Sequence, residues 1–472
     1  MPRMPDPLRR LDHATRLNSP EMTAALSARW EELPAAVRTP AQLLGRRSTG
    51  CEGTHGVFPQ CNLGCRPCYH STDANLVRVD GPHTTANVDA QMAYARRTRG
   101  PGAYAQLIGG EVTLLDPEDH AAALRSMAAH QRVPMSFSHG DFDFDYLEAL
   151  ALDATGRPRF THLAFAIHID STMRGRRAAP RPVSERELDG ERARVAAMFD
   201  RLQRTYGVTS YLAHNMTVTP GNLDEVPGVI ARNRHLGYRM FSFQPAAYVG
   251  HEDRWEPGYR GFDDDDVWAR IEEGAGVRLP HRALVFGHPA CNRVSWGAYV
   301  GDRYVPVLDD DDPRDLDARD HLFAAFPGPL GHGPLPGRAL RIARAVAAHP
   351  TVVPAAVSWA KRFVGRAGGR RARWSRIRPT TFVMHRFIDA AQTAAAWSHL
   401  QDGTTAPSDL AETVERLRAC AYSMPHPESD EMVPACVQHA VLDPQENAAL
   451  VELLPRRRSR RHQVEGSRVP GA

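Results

Sequence analysis

Between about residue 55 and residue 275 the sequence alternates short apolar runs with amphipathic stretches, and this alternation limits the fold more than any other feature. Val57-Phe58 opens the series, and apolar runs follow at 104–108, 135–138, 163–167, 211–218 and 240–243. The stretches between them carry helix signals. A helix is predicted at 86–98, with Thr85 as its cap and Gly100-Pro101 as its stop, and another starts at Pro117 behind Asp116. A long helix covers roughly 184–206 and a further one 223–236. Strand–helix alternation at these lengths builds βαβ units with parallel strands. Six such units do not close an eight-fold barrel. The expected architecture is therefore α/β, an open (β/α)6 partial barrel with its functional side chains at the C-terminal ends of the strands.

The segment after Val57-Phe58 reads Cys61-Asn62-Leu63-Gly64-Cys65-Arg66-Pro67-Cys68. Thiolates at this spacing suit an iron–sulfur cluster or zinc better than they suit packing. A structural zinc site needs four ligands, whereas three local thiols leave one metal position open. Later strand ends add polar groups. Gly109-Gly110-Glu111 follows the second run, where glycines allow backbone to approach a ligand and a carboxylate accepts hydrogen bonds from an ammonium group. A tight turn with a solvated Glu is the plainer reading of that triplet. The fourth run ends in His168-Ile169-Asp170-Ser171, and the fifth reads Asn215-Met216-Thr217-Val218-Thr219-Pro220-Gly221, with Glu225 beyond. Ser138, His139, Asp141 and Gln244, at the third and sixth strand ends, are substrate-pocket candidates.

The Cys-x3-Cys-x2-Cys loop resembles the signature of the radical S-adenosylmethionine (SAM) superfamily, with Pro67 standing where that family usually has an aromatic residue. The resemblance implies that Cys61, Cys65 and Cys68 hold a [4Fe-4S] cluster whose fourth iron chelates SAM. It implies that Gly109, Gly110 and Glu111 hold the methionyl amino group, and that Asn215 contacts the ribose or carboxylate. His168 stands where relatives often place a Ser; with Asp170 it is a cofactor-binding candidate, and a hydrogen-bonded core His is the alternative. The activity implied is reductive cleavage of SAM to a 5′-deoxyadenosyl radical that abstracts hydrogen from a substrate. Phe382 to Ala390, followed by Cys420 and Cys436, resembles more loosely the C-terminal part of the tetraether lipid synthase and methylpterin methyltransferase branch. By that likeness Cys291, Cys420 and Cys436, with Cys51 or a His, form a candidate second iron–sulfur cluster; buried, inert thiols are the alternative.

Six segments are expected: a helical leader at 1–50, the partial barrel at 51–275, a bridging segment at 276–330, a basic apolar helical or linker segment at 331–380, a C-terminal α+β unit at 381–455 and a disordered basic tail at 456–472. The leader helix starts at Ser19-Pro20, and Trp30 and Leu33 dock it. In the basic segment Arg366, Arg370, Arg371, Arg373, Arg376 and Arg378 occur without an acid, which reads as a mobile solvated arm or a membrane-surface contact. Three acidic strings read as ordinary structure. Asp141, Asp143 and Asp145 lead into a helix, Asp263 to Asp266 form a helix's first turn, and Asp309 to Asp312 form a solvated turn.

Composition excludes several classes. The net charge of +3 does not argue for nucleic acid. No run approaches the eighteen or so apolar residues of a membrane span. The N-terminus has no apolar core of a secretory signal. Seven cysteines without export signals favour metal or redox use in a reducing cytoplasm over disulfides. Expected partners are a lipid or small heterocyclic substrate, a reductant such as flavodoxin or ferredoxin, and a peripheral membrane surface. A non-catalytic iron–sulfur or zinc sensor would explain only the cysteines, and a lipid-binding protein only the basic half.

Overall fold

The computed structural model describes residues 17–70, 72–250, 252–329, 335–369 and 376–456. Its centre is a parallel run of six strands in sequence order: β1 (Cys51–Gly53), β2 (Tyr104–Leu107), β3 (Val133–Ser138), β4 (His162–His168), β5 (Thr209–Val218) and β6 (Met240–Pro245). Each pairs in parallel with the next, as the βαβ pattern requires. Five later strands extend both margins. On one side β10 (Tyr422–His426) lies parallel to β1 and carries the antiparallel β11 (Glu431–Pro434). On the other, β9 (Ile377–His385) lies parallel to β6 and carries the antiparallel hairpin of β7 (Asn292–Val300) and β8 (Arg303–Pro306). The two margins do not pair with each other, so the sheet curls into an open half-barrel of eleven strands among the described residues. The α/β partial barrel expected from the sequence is what forms, and the strands of its C-terminal extension join the barrel sheet itself.

Helices cover the outer face. The leader helix α1 (Pro20–Glu32) is capped by Ser19, whose hydroxyl accepts from the Met22 N–H, and Leu33 packs with Leu44, Ala419 and Ala421. Helix α2 (Gly81–Arg99) begins five residues before the expected 86. Asp80 accepts from the His83 N–H and Pro82 sits in the first turn, a stronger start than Thr85 offers. Helix α3 (Pro117–Ala129) starts behind Asp116 as expected. Helix α4 (Phe144–Ala151) is capped by Asp143, helix α5 (Asp189–Tyr206) follows a 3-10 turn at Glu185–Leu188, and helix α6 (Val226–Asn233) precedes β6. Helix α7 (Asp264–Ala275) opens with a reciprocal Asp263/Asp266 capping box. The core between sheet and helices includes Val88, Leu107, Leu124, Phe165, Ile167, Phe199, Met216, Phe241 and Phe382.

Three expectations need correction. The first strand is Cys51–Gly53, not Val57-Phe58. The chain leaves the sheet at Thr54, whose hydroxyl is anchored by the Ile108 N–H and carbonyl, and Val57 and Phe58 are buried in an extended loop. Asp309 to Asp312 form a turn that is solvated only in part, with Asp311 60% exposed and Asp309 to Asp311 paired with arginine. The Asp310 side chain is only 2% exposed and accepts from Arg278 and from the N–H groups of His281 and Arg282. The basic segment is not a free arm where it is described. It begins with helix α9 (Leu335–Ala348) and helix α10 (Val352–Arg366), and α10 packs on helix α8 (Pro313–Ala325). There Arg362 and Arg366 both pair with the buried Asp315, and Trp359 donates to the Val307 carbonyl at 2.7 Å. Arg370, Arg371 and Arg373, the first sixteen residues of the leader and the tail from 457 onward lie outside the described residues.

Candidate active site at the C-terminal mouth of the half-barrel

The cysteine loop follows β1 and crosses the C-terminal ends of the neighbouring strands. Backbone bonds fix it on several sides. Gly64 N–H donates to the Arg174 carbonyl and Arg66 N–H to that of Thr172, both in the loop after β4. Cys61 N–H donates to Asn75 Oδ1 at 2.9 Å. The Asn62 side chain accepts from His139 Nε2 at 2.7 Å, after β3. Cys61, Cys65 and Cys68 are unpaired thiols. Burial pushes all three thiols up, Cys61 to about 12.

The Gly-Gly pair after β2 has a physical reason other than the one expected. A Cβ on Gly109 would lie 2.7 Å from the Phe58 carbonyl oxygen, and one on Gly110 would collide with that of Gln60. The backbone these glycines admit is the approach to the cysteine loop itself. Gly110 N–H donates to Phe58 O at 2.7 Å and Glu111 N–H to Gln60 O at 2.9 Å. The Gly109 carbonyl in turn receives Tyr69 Oη and His70 Nε2, just past Cys68. The turn and the loop are thus one interlocked unit.

Glu111 is 1% exposed, and its carboxylate is heavily engaged. One oxygen accepts from Thr113 N–H, Thr113 Oγ1 and Ser138 Oγ; the other accepts from His139 N–H at 2.8 Å and faces His139 Nε2 at 3.2 Å. The solvated-Glu reading therefore fails. His139 Nδ1 accepts from the Asp141 N–H, which places the ring proton on Nε2, toward Asn62 and Glu111.

Across the sheet the register aligns His168 with Asn215, and Asn215 with Ser242. Partners in register project from the same face, so strands 4, 5 and 6 present these three side chains in one row at the mouth. Asp170 is fully buried and orients His168. Its Oδ2 meets His168 Nε2 at 2.6 Å and accepts from Thr217 N–H, while Oδ1 accepts from Thr172. Burial alone would raise the Asp170 carboxyl, yet the His168 ring and these donors hold it well below the usual carboxylate range. With Nε2 committed, His168 keeps Nδ1 without a hydrogen bond among the described residues, on a side chain 36% exposed. Asn215 is 3% exposed, and among the described residues its Nδ2 has no partner; neither has Gln244 Oε1. Buried amide groups rarely stay unpaired, so each is fit for a ligand.

Two arginines stand close to the thiols. Arg254, in the loop after β6, donates to the Cys65 carbonyl at 3.2 Å and counteracts the upward shift of all three cysteines, while its Nε lacks a partner among the described residues. Arg176 is 1% exposed, donates to the His139 carbonyl and leaves Nε and Nη1 unpaired among the described residues. A thiolate-bound cluster carries negative charge, and so does a carboxylate ligand. Buried guanidinium N–H groups beside three thiols fit such a pair. Arg177 instead pairs with Asp141, and Arg174 caps the Ser171 carbonyl, so of these three arginines in the loop after β4 Arg176 is the buried one. No sequence spacing pointed to Arg254, since only the fold carries the loop after β6 back to the cysteines.

The thiols of the second cysteine set are near enough to influence one another. Cys291 Sγ accepts from Arg416 Nε at 3.2 Å, Cys420 donates to the Tyr422 carbonyl, and Cys436 Sγ accepts from Ile388 N–H at 3.5 Å. Burial raises the Cys436 thiol, and the Cys420 and Cys291 thiols raise it further. Cys51 lies beside them in register with Tyr422, and Cys420 adds to its upward shift.

Fold and site together define an α/β half-barrel with an open three-thiol loop at its C-terminal mouth. No family model matches the chain, and no curated protein matches it. Parts of solved structures resemble it. Streptococcus suis SuiB bound to S-adenosylmethionine is 11% identical with a TM-score of 0.29, over 41% of this chain and 40% of that one. Native anSMEcpe with bound AdoMet is 14% identical with a TM-score of 0.32, over 47% and 57%. Streptococcus suis SuiB bound to precursor peptide SuiA is 11% identical with a TM-score of 0.30, over 51% and 45%. The chain covers between 40% and 57% of the length of these structures. Likeness at this level is partial, and the functional reading rests on the site's own geometry.

Proposed function

We propose that this chain is a radical SAM enzyme. The observation that carries the reading is the three-thiol loop placed directly after β1, at the mouth of a parallel half-barrel, and locked onto the Gly109-Gly110-Glu111 turn. The residues fit the implied groups. Cys61, Cys65 and Cys68 would hold a [4Fe-4S] cluster, a soft donor set for which iron–sulfur is the natural partner. When bound, cluster and SAM supply one-electron reductive cleavage and hydrogen-atom abstraction. The protein's share is binding, orientation and exclusion of water.

Arg254 and Arg176 balance charge beside the thiols. The unpaired Nδ2 of Asn215 donates to the ribose or carboxylate of SAM, and His168, oriented by Asp170, binds in the same row. Glu111, whose carboxylate is held by Thr113, Ser138 and the His139 N–H, would accept from the methionyl ammonium. Leu63, Val57 and Phe58, all buried, keep water from behind the loop. Gln244, with its unpaired Oε1, faces the substrate.

The finer reading has four parts. Cys291, Cys420 and Cys436, with Cys51, hold a second iron–sulfur cluster, supported by the mutual influence of their thiols. A flavodoxin or ferredoxin in the cytoplasm supplies electrons. The substrate is a lipid or small heterocycle, as in the tetraether lipid synthase branch. Peripheral membrane contact falls to α9 and α10, whose Leu340, Ile342, Val353, Val357 and Val364 are each at least 42% exposed. No helix among the described residues is long and apolar enough to cross a membrane.

The test is anaerobic reconstitution with iron and sulfide, then dithionite and SAM, with 5′-deoxyadenosine measured by chromatography. The wild-type chain forms it, and the Cys61→Ala/Cys65→Ala/Cys68→Ala variant does not. A zinc-bound, colourless protein would establish the sensor reading instead.

A further inference from the structure

We infer that the loop after β4, together with Arg66 of the cysteine loop, is a docking surface for a small acidic electron-carrier protein. The inference rests on the enzyme reading above and deepens it, because a one-electron centre at Cys61, Cys65 and Cys68 needs a donor that can reach it. From Ser171 to Ser184 the chain carries four arginines and no acidic residue. Arg176 is the buried one. Arg174, Arg177 and Arg181 are exposed, and so is Arg66, between the second and third cysteines of the loop. Val183, two residues beyond Arg181, is 86% exposed and adds an apolar contact.

The fold sets these charges beside the loop through which an electron must enter. The Gly64 N–H donates to the Arg174 carbonyl at 2.8 Å and the Arg66 N–H to that of Thr172 at 3.3 Å, so the two backbones are direct neighbours. Gly175, at φ 95°, opens a tight tip that its own N–H closes onto the Pro180 carbonyl at 2.9 Å. Little within the chain neutralises the patch. Among the described residues Arg174 donates only to the Ser171 and Met173 carbonyls, and a carbonyl leaves the positive charge in place. Arg177 pairs with Asp141, yet its side chain stays 63% exposed. Among the described residues Arg66 and Arg181 form no ion pair. Two exposed acids mark the edges: Glu187 accepts from the Val183 N–H at 3.3 Å, and Glu256 shares the surroundings of Tyr259 with Arg66.

Exposed guanidinium groups without a fixed partner favour a protein over a small anion. A tightly held anion needs dry, convergent N–H donors, whereas solvated charges act at a distance, speeding and orienting encounter. A bilayer needs a broad apolar face, and Val183 is the one large apolar side chain of 171–184 that is exposed. Electron-transfer partners meet over small, weak interfaces, which arginines around a single loop suit. The step itself is simple. A flavin hydroquinone anion in the carrier gives up one electron and becomes the neutral semiquinone. The cluster held by the three cysteines takes that electron and becomes more negative by one charge. No proton moves and no bond breaks.

Full-length, anaerobically reconstituted protein is mixed with an acidic bacterial flavodoxin, oxidised for calorimetric binding and fully reduced for stopped-flow reading of semiquinone formation. Wild type is expected to bind the oxidised form and to take an electron from the reduced one. Both should weaken steeply toward about 1 M salt, where the screening length falls to about 3 Å. Arg66→Glu/Arg181→Glu is expected to lose about 10- to 100-fold in association and most of the salt dependence, while dithionite still reduces its cluster. Arg174→Gln, a milder variant, is expected to move the same way by a smaller factor. Arg157→Glu/Arg204→Glu makes the same charge change on exposed side chains at the opposite end of the barrel and is expected to match wild type. Unchanged binding in Arg66→Glu/Arg181→Glu, an equal loss in Arg157→Glu/Arg204→Glu, or no flavodoxin binding by wild type would overturn the assignment. A chain that forms no cluster, or whose reduced cluster leaves SAM intact, fails the enzyme reading instead. The binding comparison needs no cluster and decides the surface in either case.

Discussion

The Gly110 backbone rests against the Gln60 carbonyl so closely that the first atom of any side chain would overlap it. This contact joins the turn after β2 to the approach of the cysteine loop. Gly110→Ala must therefore push the loop away from the mouth. Iron bound after reconstitution should fall at least several-fold, as read by iron per chain. Gly190, inside helix α5 with open space around its Cα, is the control. Gly190→Ala should keep full iron content and gain about 0.5–1 kcal/mol.

Arg132 and Glu52 form a two-pronged ion pair, with both nitrogen–oxygen contacts at 2.8 Å and both side chains almost completely buried. Burial pushes the Glu52 carboxyl up even against Arg132. Arg132→Met strands that carboxylate inside the protein next to β1 and should cost about 3–5 kcal/mol in urea unfolding. Adding Glu52→Gln should recover much of the loss.

Burial holds the His120 imidazole at about 4 against an ordinary 6.5. The folded value lies below the unfolded one, so as pH falls the unfolded chain takes up the proton first. Stability from this residue is full above about pH 6.5 and declines between there and pH 4, by on the order of 2 kcal/mol at pH 5. Chemical denaturation at pH 7.5 and pH 5 should show that difference shrinking in His120→Gln, whose amide retains bonds to Ser136 and Tyr146.

Arg254 is the cation common to Cys61, Cys65 and Cys68. Arg254→Met should leave iron uptake largely intact and make the cluster harder to reduce, because the added electron loses a nearby positive charge. A shift on the order of 60 mV corresponds to a tenfold change in the one-electron equilibrium and would be resolved by redox titration.

What the sequence displayed and what it hid divide along physical lines. The runs at 104–108, 163–167 and 240–243 sit in β2, β4 and β6 because local apolar patterning and Asp or Gly boundaries agree with the tertiary fold. Local chemistry also placed the cysteine loop, since its three thiols, Cys61, Cys65 and Cys68, lie close together in sequence. β1 was misplaced because three residues in a strand offer no periodicity, whereas buried Val57-Phe58 imitates one. The engagement of Glu111 by Ser138 and His139, the pairing of His168 with Asn215 and the approach of Arg254 depend on residues 27 to 189 positions apart. Only strand order decides such contacts. The ion pairs of Arg362 and Arg366 with Asp315 were hidden in the same way, so a docked helix read as a loose basic arm.

The most direct measurement of the central claim is the electron paramagnetic resonance spectrum of the anaerobically reconstituted, dithionite-reduced protein, recorded with and without SAM. The account predicts a reduced [4Fe-4S] signal, lost in Cys65→Ala, whose g-values shift when SAM is added. A cluster signal that SAM leaves unchanged, or the absence of any cluster at Cys61, Cys65 and Cys68, would contradict it.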